Sequence, residues 1–252
     1  VSLTDAQLER YARHIVLREV GGQGQLRLLG ARVAVIGAGG LGSPCLQYLA
    51  AAGVGRLTII DDDVVDLSNL QRQVIHGTPD VGRPKVESAR EALARLNPDV
   101  TVTGIATRLT AANAATLLAG HEVVADGSDS FATRFAVADA CHGLRIPLVS
   151  AAVGPMEGQL AVFRGWEADK PCYRCFVGEA PGAAERTCAD AGVLGALTGV
   201  LGAMQALEVI RSLVGFGDDP AGRLMLVDPL AFRVRTLSLP KDPACAGCGP
   251  RP

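Results

Sequence analysis

Val33-Ala34-Val35-Ile36-Gly37-Ala38-Gly39-Gly40-Leu41-Gly42 is the stretch that decides the fold. Its apolar start reads as a strand buried on both faces. The glycines permit a tight turn and let backbone approach a phosphate, and Ser43 to Ala52 continues as helix. Gly53 to Gly55 turns the chain into a second strand, Arg56 to Ile60, which ends at Asp61. Strand, glycine loop, helix and a strand with a terminal acid make a βαβ unit suited to holding a nucleotide, with Asp61 accepting from a ribose hydroxyl. Asp61, Asp62 and Asp63 are consecutive, so strand alternation cannot place all three at the ribose, and Asp61 is nearest the strand end.

Outward from this unit, strand and helix keep alternating. Helix is expected over Leu3 to Gly21, with Thr4 and Gln7 at its start, Leu8, Tyr11, Ala12 and Ile15 on one face, and Gly21-Gly22 as its stop. Lys85 to Leu96, Ala111 to Leu118 and Thr133 to Leu144 read as helices; Val100 to Ile105, Glu122 to Ala125 and Pro147 to Ala152 read as strands. The fold class is α/β, a doubly wound, Rossmann-like, mostly parallel sheet. After about residue 153, Gly158 to Phe163, Leu224 to Asp228 and Ala231 to Leu239 read as antiparallel strands that extend it. The expected organisation is one domain over 1–252, with a nucleotide-binding half, 1–153, and a second half, 154–252.

Apolar residues make up 48% of the chain and the formal net charge is −2, so a large core is available. No basic tract or polybasic helix suggests a nucleic-acid or membrane surface. The apolar run Ala191 to Met204 is short and glycine-broken, and reads as a buried helix rather than a membrane span. Val1 to Leu8 lacks the order of a signal peptide. The cytoplasm is the expected compartment, and the seven cysteines are expected as reduced thiols, metal ligands or catalytic groups.

Arg72 and Lys85 follow the second strand at the edge where open α/β sheets bind ligands. A dinucleotide's two phosphates can be served by a helix N-terminus, whereas a triphosphate calls for such cations. Asp129 follows another strand end and suits a Mg2+ ligand beside phosphates, or alternatively an N-cap for the next helix. Cys172-Tyr173-Arg174-Cys175 and Cys245-Ala246-Gly247-Cys248 are paired C-x-x-C knuckles. Four thiolates suit a closed structural zinc site that tethers the tail, with a redox dithiol as the alternative. Cys45 and Cys141 read as core residues, and the four histidines show no metal or triad spacing. Cys188 stands just before the buried helix with Arg186 nearby, and reads either as a reactive thiol or as an apolar anchor.

The glycine loop, Ser68-Asn69-Leu70-Gln71-Arg72-Gln73, Gly82-Arg83-Pro84-Lys85 and the two cysteine pairs, in this order, resemble the ubiquitin-activating-like adenylyltransferases. The likeness is greatest to bacterial enzymes that activate sulfur carriers for molybdopterin or thiamine synthesis. It extends to Arg10-Tyr11-Ala12-Arg13 and Met156-Glu157-Gly158-Gln159. The resemblance implies ATP, Mg2+ and zinc as cofactors. It implies an adenosine and ribose site at Gly37, Gly39, Gly40, Gly42, Asp61 and Asp63, and phosphate contacts from Ser68, Asn69, Leu70, Gln71, Arg72 and Lys85. Asp129 would hold Mg2+, with Ser130 beside it where relatives often have Asn. Arg13 would reach the triphosphate from the partner of a homodimer, and Cys188 matches a loop cysteine that handles acylated carrier in some relatives.

The implied partner is a ubiquitin-like sulfur carrier ending in Gly-Gly, whose carboxylate attacks ATP. A carboxylate is already a nucleophile, so no general base is needed. The loop from about Glu179 to Asp190 would cover the carrier tail, and 154–252 would bind the carrier. No rhodanese segment follows residue 252, so a separate sulfur donor, a rhodanese or cysteine desulfurase, is expected. The competing readings are an E1-like enzyme acting on a tRNA-borne group, an NAD-dependent oxidoreductase and a non-catalytic scaffold.

Overall fold

The computed structural model describes residues 2–178 and 192–249. Five strands, β1 (Arg32–Ile36), β2 (Arg56–Ile60), β3 (Thr101–Ile105), β4 (Val123–Asp126) and β5 (Leu148–Val153), run parallel. β6 (Gly158–Phe163), β7 (Arg223–Asp228) and β8 (Arg233–Ser238) continue the sheet by antiparallel pairing. The order across it is β3-β2-β1-β4-β5-β6-β7-β8. The described helices are α1 (Asp5–Arg10), α2 (Ala12–Ile15), α3 (Gly21–Gly30), α4 (Gly42–Ala51), α5 (Lys85–Leu96), α6 (Ala114–Leu118), α7 (Phe131–Leu144), α8 (Tyr173–Val177) and α9 (Gly195–Val214).

Strand alternation divides the core between two layers. Val33 and Val35 of β1 pack with Leu46 and Leu49 of α4, Leu93 of α5 and Leu201 of α9. Ala34 and Ile36 pack on the other face with Leu118 of α6 and with Phe135 and Val137 of α7. The chain winds from β1 to β2 on one side and reaches β4 on the other, so a crevice opens between the loops after β1 and β4. The register sets its floor, because Ile36 lies opposite both Ile60 and Asp126.

The turn at the head of α4 needs glycine. Gly37 has φ +89°, and a Cβ on Gly42 would lie 1.9 Å from the Gly37 carbonyl oxygen. α9 lies against this turn, and a Cβ on Gly202 would sit 2.3 Å from the Leu41 carbonyl oxygen.

Two expectations need correction. The helix read over Leu3 to Gly21 is broken. Its start is as expected, with Thr4 and Gln7 forming a capping box, but Tyr11 leaves helical geometry at φ −102° and ψ 13°. Its ring is drawn into the core, 1% exposed, where its hydroxyl accepts from Asn97 Nδ2 at 2.8 Å. Leu8, expected on the buried face, is 44% exposed. Gly21, read as a stop, takes φ +59° and opens α3. The buried helix read over Ala191 to Met204 runs on to Val214. At 20 residues it is long and apolar enough to span a bilayer, so the length argument fails. Leu197, Thr198, Leu201, Gly202, Gln205, Ala206 and Val209 are nevertheless buried in the protein.

Asn97, fully buried, also donates Nδ2 to the Ala50 carbonyl at 2.8 Å, tying the N-terminal helices to the end of α4. Asn97→Ala strands both acceptors and is expected to cost about 1–3 kcal/mol. Thermal or urea denaturation measures this, and an unchanged midpoint would show that these bonds do not anchor the N-terminus.

Candidate functional site

The crevice collects side chains from the ends of separate strands, and its geometry begins with one peptide. Ala38 donates its amide to Asp61 Oδ2 at 2.7 Å. Its carbonyl meets His76 Nε2 at 3.0 Å. A carbonyl only accepts, so Nε2 carries the proton, and His76 Nδ1 then accepts from the Ser88 hydroxyl at 2.8 Å. The glycine loop is thus gripped on both sides. α4 begins here without a side-chain cap, leaving its N-terminus for an anion. Burial pushes His76 below the usual histidine value.

Asp61 Oδ1 accepts the Asp63 amide at 2.9 Å. Burial raises the Asp61 carboxyl above its ordinary value, with Lys85 and both amide bonds pulling the other way. Lys85 is buried at the head of α5 and meets Asp63 Oδ2 at 2.8 Å. Asp63 itself is mostly in water, so a phosphate can replace it at small cost. Asp62 is paired with Arg108 at 3.0 Å.

Arg72 and Gln73 line the cleft, and Arg72 Nη1 donates to the Ser68 carbonyl at 3.1 Å. Ser68, Asn69, Leu70 and Gln71 are not among the lining residues and form the turn behind Arg72. Gly37, Gly39, Gly40, Asp61, Asp63, Lys85, Asp129 and Ser130 are brought together, while Gly42 serves the turn rather than the wall. The capping alternative for Asp129 falls away, because Ser130 Oγ accepts the Thr133 amide at 3.2 Å and caps α7. Asp129 is left exposed at the cleft. Arg13 is exposed on α2 and is not among the lining residues. Cys188 and the loop from about Glu179 to Asp190 lie outside the described residues.

Sequence reasoning gave no site role to Gln73, Arg134, Thr198 and the segment Thr107-Arg108-Leu109, which line the cleft, or to His76, which holds the glycine loop from behind. The segment follows β3 at the same sheet edge, which the strand-end rule could have found. His76 and Arg134 act on backbone carbonyls, and such contacts leave no spacing pattern. Arg134 places Nε and Nη2 on the Ser128 carbonyl at 2.9 and 2.7 Å.

The cysteine pairs converge beside α7, where Arg174 pairs with Asp139 and Tyr173 meets the Phe135 ring. Sγ separations are 3.8 Å for Cys172–Cys175, 3.6 Å for Cys172–Cys245 and 3.4 Å for Cys175–Cys248. All four sulfurs lie within 4.8 Å of one another. A disulfide needs about 2.05 Å. Tetrahedral zinc with Zn–S near 2.3 Å needs sulfurs about 3.8 Å apart. Burial raises the Cys172 thiol and lifts Cys248 to about 11, whereas at Cys245 burial is outweighed by the backbone amides of Cys248 and Gly247 and the thiol is lowered. Donor set and spacing fit zinc. Cys45 and Cys141 are buried core residues, as expected.

A family model described as "ThiF family" matches residues 11–247. The "SAMP-activating enzyme E1" of Haloferax volcanii is 47% identical, covering 99% of this chain and 92% of its own. The "Molybdopterin-synthase adenylyltransferase" of Escherichia coli is 43% identical over 98% of both chains. The "Sulfur carrier protein adenylyltransferase" of Thermus thermophilus is 45% identical over 99% of this chain and 93% of its own. Among solved structures, Escherichia coli MccB with ATP superposes with TM-score 0.82, covering 95% of this chain and 74% of that one. At 21% identity this likeness concerns the fold alone.

The buried His76 generates a pH dependence. Its folded-state value lies below the ordinary 6.5, so on acidification the unfolded chain takes up the proton first and stability falls. Urea midpoints between about pH 7.5 and about pH 5.5 are expected to drop less for His76→Gln than for the natural protein. Equal slopes would remove the buried neutral imidazole.

Proposed function

The chain belongs to the ThiF family, and from that premise we propose that it adenylates the C-terminal glycine carboxylate of a ubiquitin-like sulfur carrier with ATP and Mg2+. The observation that carries this reading is the meeting of Arg72, Lys85 and Asp129 with the glycine loop in one crevice. Two cations beside a phosphate-holding turn suit a triphosphate better than a dinucleotide. The names of the relatives, adenylyltransferases of molybdopterin synthase and of a sulfur carrier, point the same way.

In this reading the carrier carboxylate attacks the α-phosphorus, the bond to the β-phosphate bridging oxygen breaks, and pyrophosphate leaves from a carrier acyl-adenylate. The carboxylate is the nucleophile as it stands, so the site has no need of a general base. The chain's own work is in-line positioning and neutralising charge. Asp61 holds the ribose, the α4 N-terminus and Arg72 hold phosphates, and Lys85 exchanges Asp63 for phosphate. Asp129 is the ligand for Mg2+, which supplies charge neutralisation at the leaving pyrophosphate.

Arg13 would complete the site from the partner in a homodimer. It stands on an exposed helix, with Val16 and Leu17 exposed just beyond it. Zinc would be structural, held by Cys172, Cys175, Cys245 and Cys248. The adenylate would pass to a separate sulfur donor, a rhodanese or cysteine desulfurase, in molybdopterin, thiamine or a related synthesis. A cytoplasmic setting agrees with reduced thiols.

ATP–pyrophosphate exchange with a panel of Gly-Gly carriers tests the reading. Exchange that requires one carrier, and is lost on deleting its last glycine, is the expected result. Arg72→Ala and Asp129→Ala are each expected to lower it by about 100-fold or more without lowering the melting temperature. Near-normal exchange in either folded variant overturns the assignment. ATP with Mg2+ is expected to raise the melting temperature where NAD does not. Elemental analysis is expected to find one zinc per chain, and freshly purified protein without zinc would remove that site.

A further inference from the structure

We infer that His76, which is not among the residues lining the cleft, is a positioning residue for the glycine loop: it holds the Ala38 carbonyl behind the loop so that the Gly39 N–H aims into the cleft. The inference rests on the adenylation reading for what the loop receives, a polyphosphate.

Ala38 stands between Gly37, at φ +89°, and Gly39. The peptide that joins Ala38 to Gly39 is trans, so its carbonyl and its N–H point in opposite directions. The carbonyl is turned to His76 Nε2 at 3.0 Å, with the Ser43 hydroxyl at a longer 3.5 Å. The Gly39 N–H is thereby directed at the cleft, which Gly39 and Gly40 line. Among the described residues no hydrogen bond takes the Gly39 or the Gly40 amide. A carbonyl in that place would repel a phosphate. A peptide followed by glycine flips at little steric cost, because glycine takes φ of either sign. A donor fixed behind the loop removes that alternative.

The donor is itself fixed. The Ala38 carbonyl demands the proton on Nε2, and the Ser88 hydroxyl meets the bare Nδ1 at 2.8 Å. His76 is 7% exposed and Ser88 2%, so water does not compete for these bonds. Ser88 lies on α5, one turn after Lys85, which opens that helix. Lys85 reaches Asp63, the Asp63 amide donates to Asp61 Oδ1, and Asp61 Oδ2 accepts the Ala38 amide. These contacts close a circuit that begins and ends at Ala38. It ties the loop amides to the cation that Lys85 presents, so two sides of a polyphosphate site are set before any ligand arrives. The Ala38 N–H belongs to the preceding peptide and is held by Asp61, so the ribose side of the cleft does not depend on His76.

The test separates phosphate from nucleoside. His76→Leu removes the donor and keeps an apolar side chain in the buried place. His76→Gln keeps a terminal N–H, and Ser88→Ala frees the ring to carry its proton on Nδ1. Mg·ATP and adenosine affinities are measured by calorimetry for each variant and for the natural protein, with the melting temperature as the check on folding. His76→Leu is expected to raise the Mg·ATP dissociation constant about 10-fold and to leave that of adenosine within about 2-fold. His76→Gln is expected to restore Mg·ATP binding to within about 3-fold, and Ser88→Ala to fall between the two. A loop that had only lost packing would weaken both ligands alike. Equal losses therefore overturn the inference, as does unchanged Mg·ATP affinity in a folded His76→Leu. If His76→Leu does not fold, Ser88→Ala decides by the same comparison. If the natural protein binds Mg·ATP but exchanges with no carrier, the adenylation reading fails, and the split between ATP and adenosine still decides the role of His76. A natural protein that binds no ATP overturns both.

Discussion

Three neighbouring strands, β1, β2 and β4, stop at one level, and the rest of the site depends on it. Ile36 faces Ile60 on one side and Asp126 on the other, so the residues that follow each strand enter the same space. The glycine loop comes from the first, the acidic turn from the second and the Gly127 to Ser130 segment from the third. A one-residue slip in either pairing would exchange the side chains fitted to the two core layers and carry the strand-end groups out of register. The buried, β-branched and small residues of β1 thus define the cleft as much as they define the core.

Around that floor the protein accepts electrostatic strain. Asp61 and Asp126 are carboxyl groups whose burial disfavours their charge, and His76 is an imidazole whose burial keeps it neutral. Each is compensated locally, by Lys85 and amides at Asp61, by Arg134 at Asp126, and by Ser88 and a carbonyl at His76. A bound polyphosphate and its metal would redistribute these pairings rather than create them anew. Lys85 is the clearest case, since its present partner is solvent-exposed and easily released.

Much of this was legible in the sequence, and the illegible parts share a cause. The βαβ unit follows from local pattern, its helix shifted by one residue to Gly42–Ala51, and the helix Lys85–Leu96 and the strand Gly158–Phe163 are observed at the expected bounds. The knuckle spacing of the four cysteines foretold their convergence. α3 was hidden because Gly21-Gly22-Gln23-Gly24 is a poor helix former, held helical by its place against the core, where Gln25 and Leu28 are buried. The break at Tyr11 depends on Asn97, far along the chain, and no local window contains both. Of the Ser68 to Gln73 stretch only Arg72 and Gln73 reach the cleft wall, because the turn presents its end and turns its start away. His76 and Arg134 were invisible because their partners are carbonyls, which every residue has.

The knuckle also has a topological consequence. Cys172 and Cys245 are 73 positions apart, and the chain between them includes α9, β7 and β8. A metal shared by the four thiolates closes that whole excursion into a ring. Closing a loop of this length removes chain entropy from the unfolded state worth about 4 kcal/mol by the loop-closure relation. A ring also tolerates a cut. Cleavage of the backbone between α8 and α9 would leave each fragment holding two of the four thiolates of a shared ion, with the β6–β7 ladder joining the fragments.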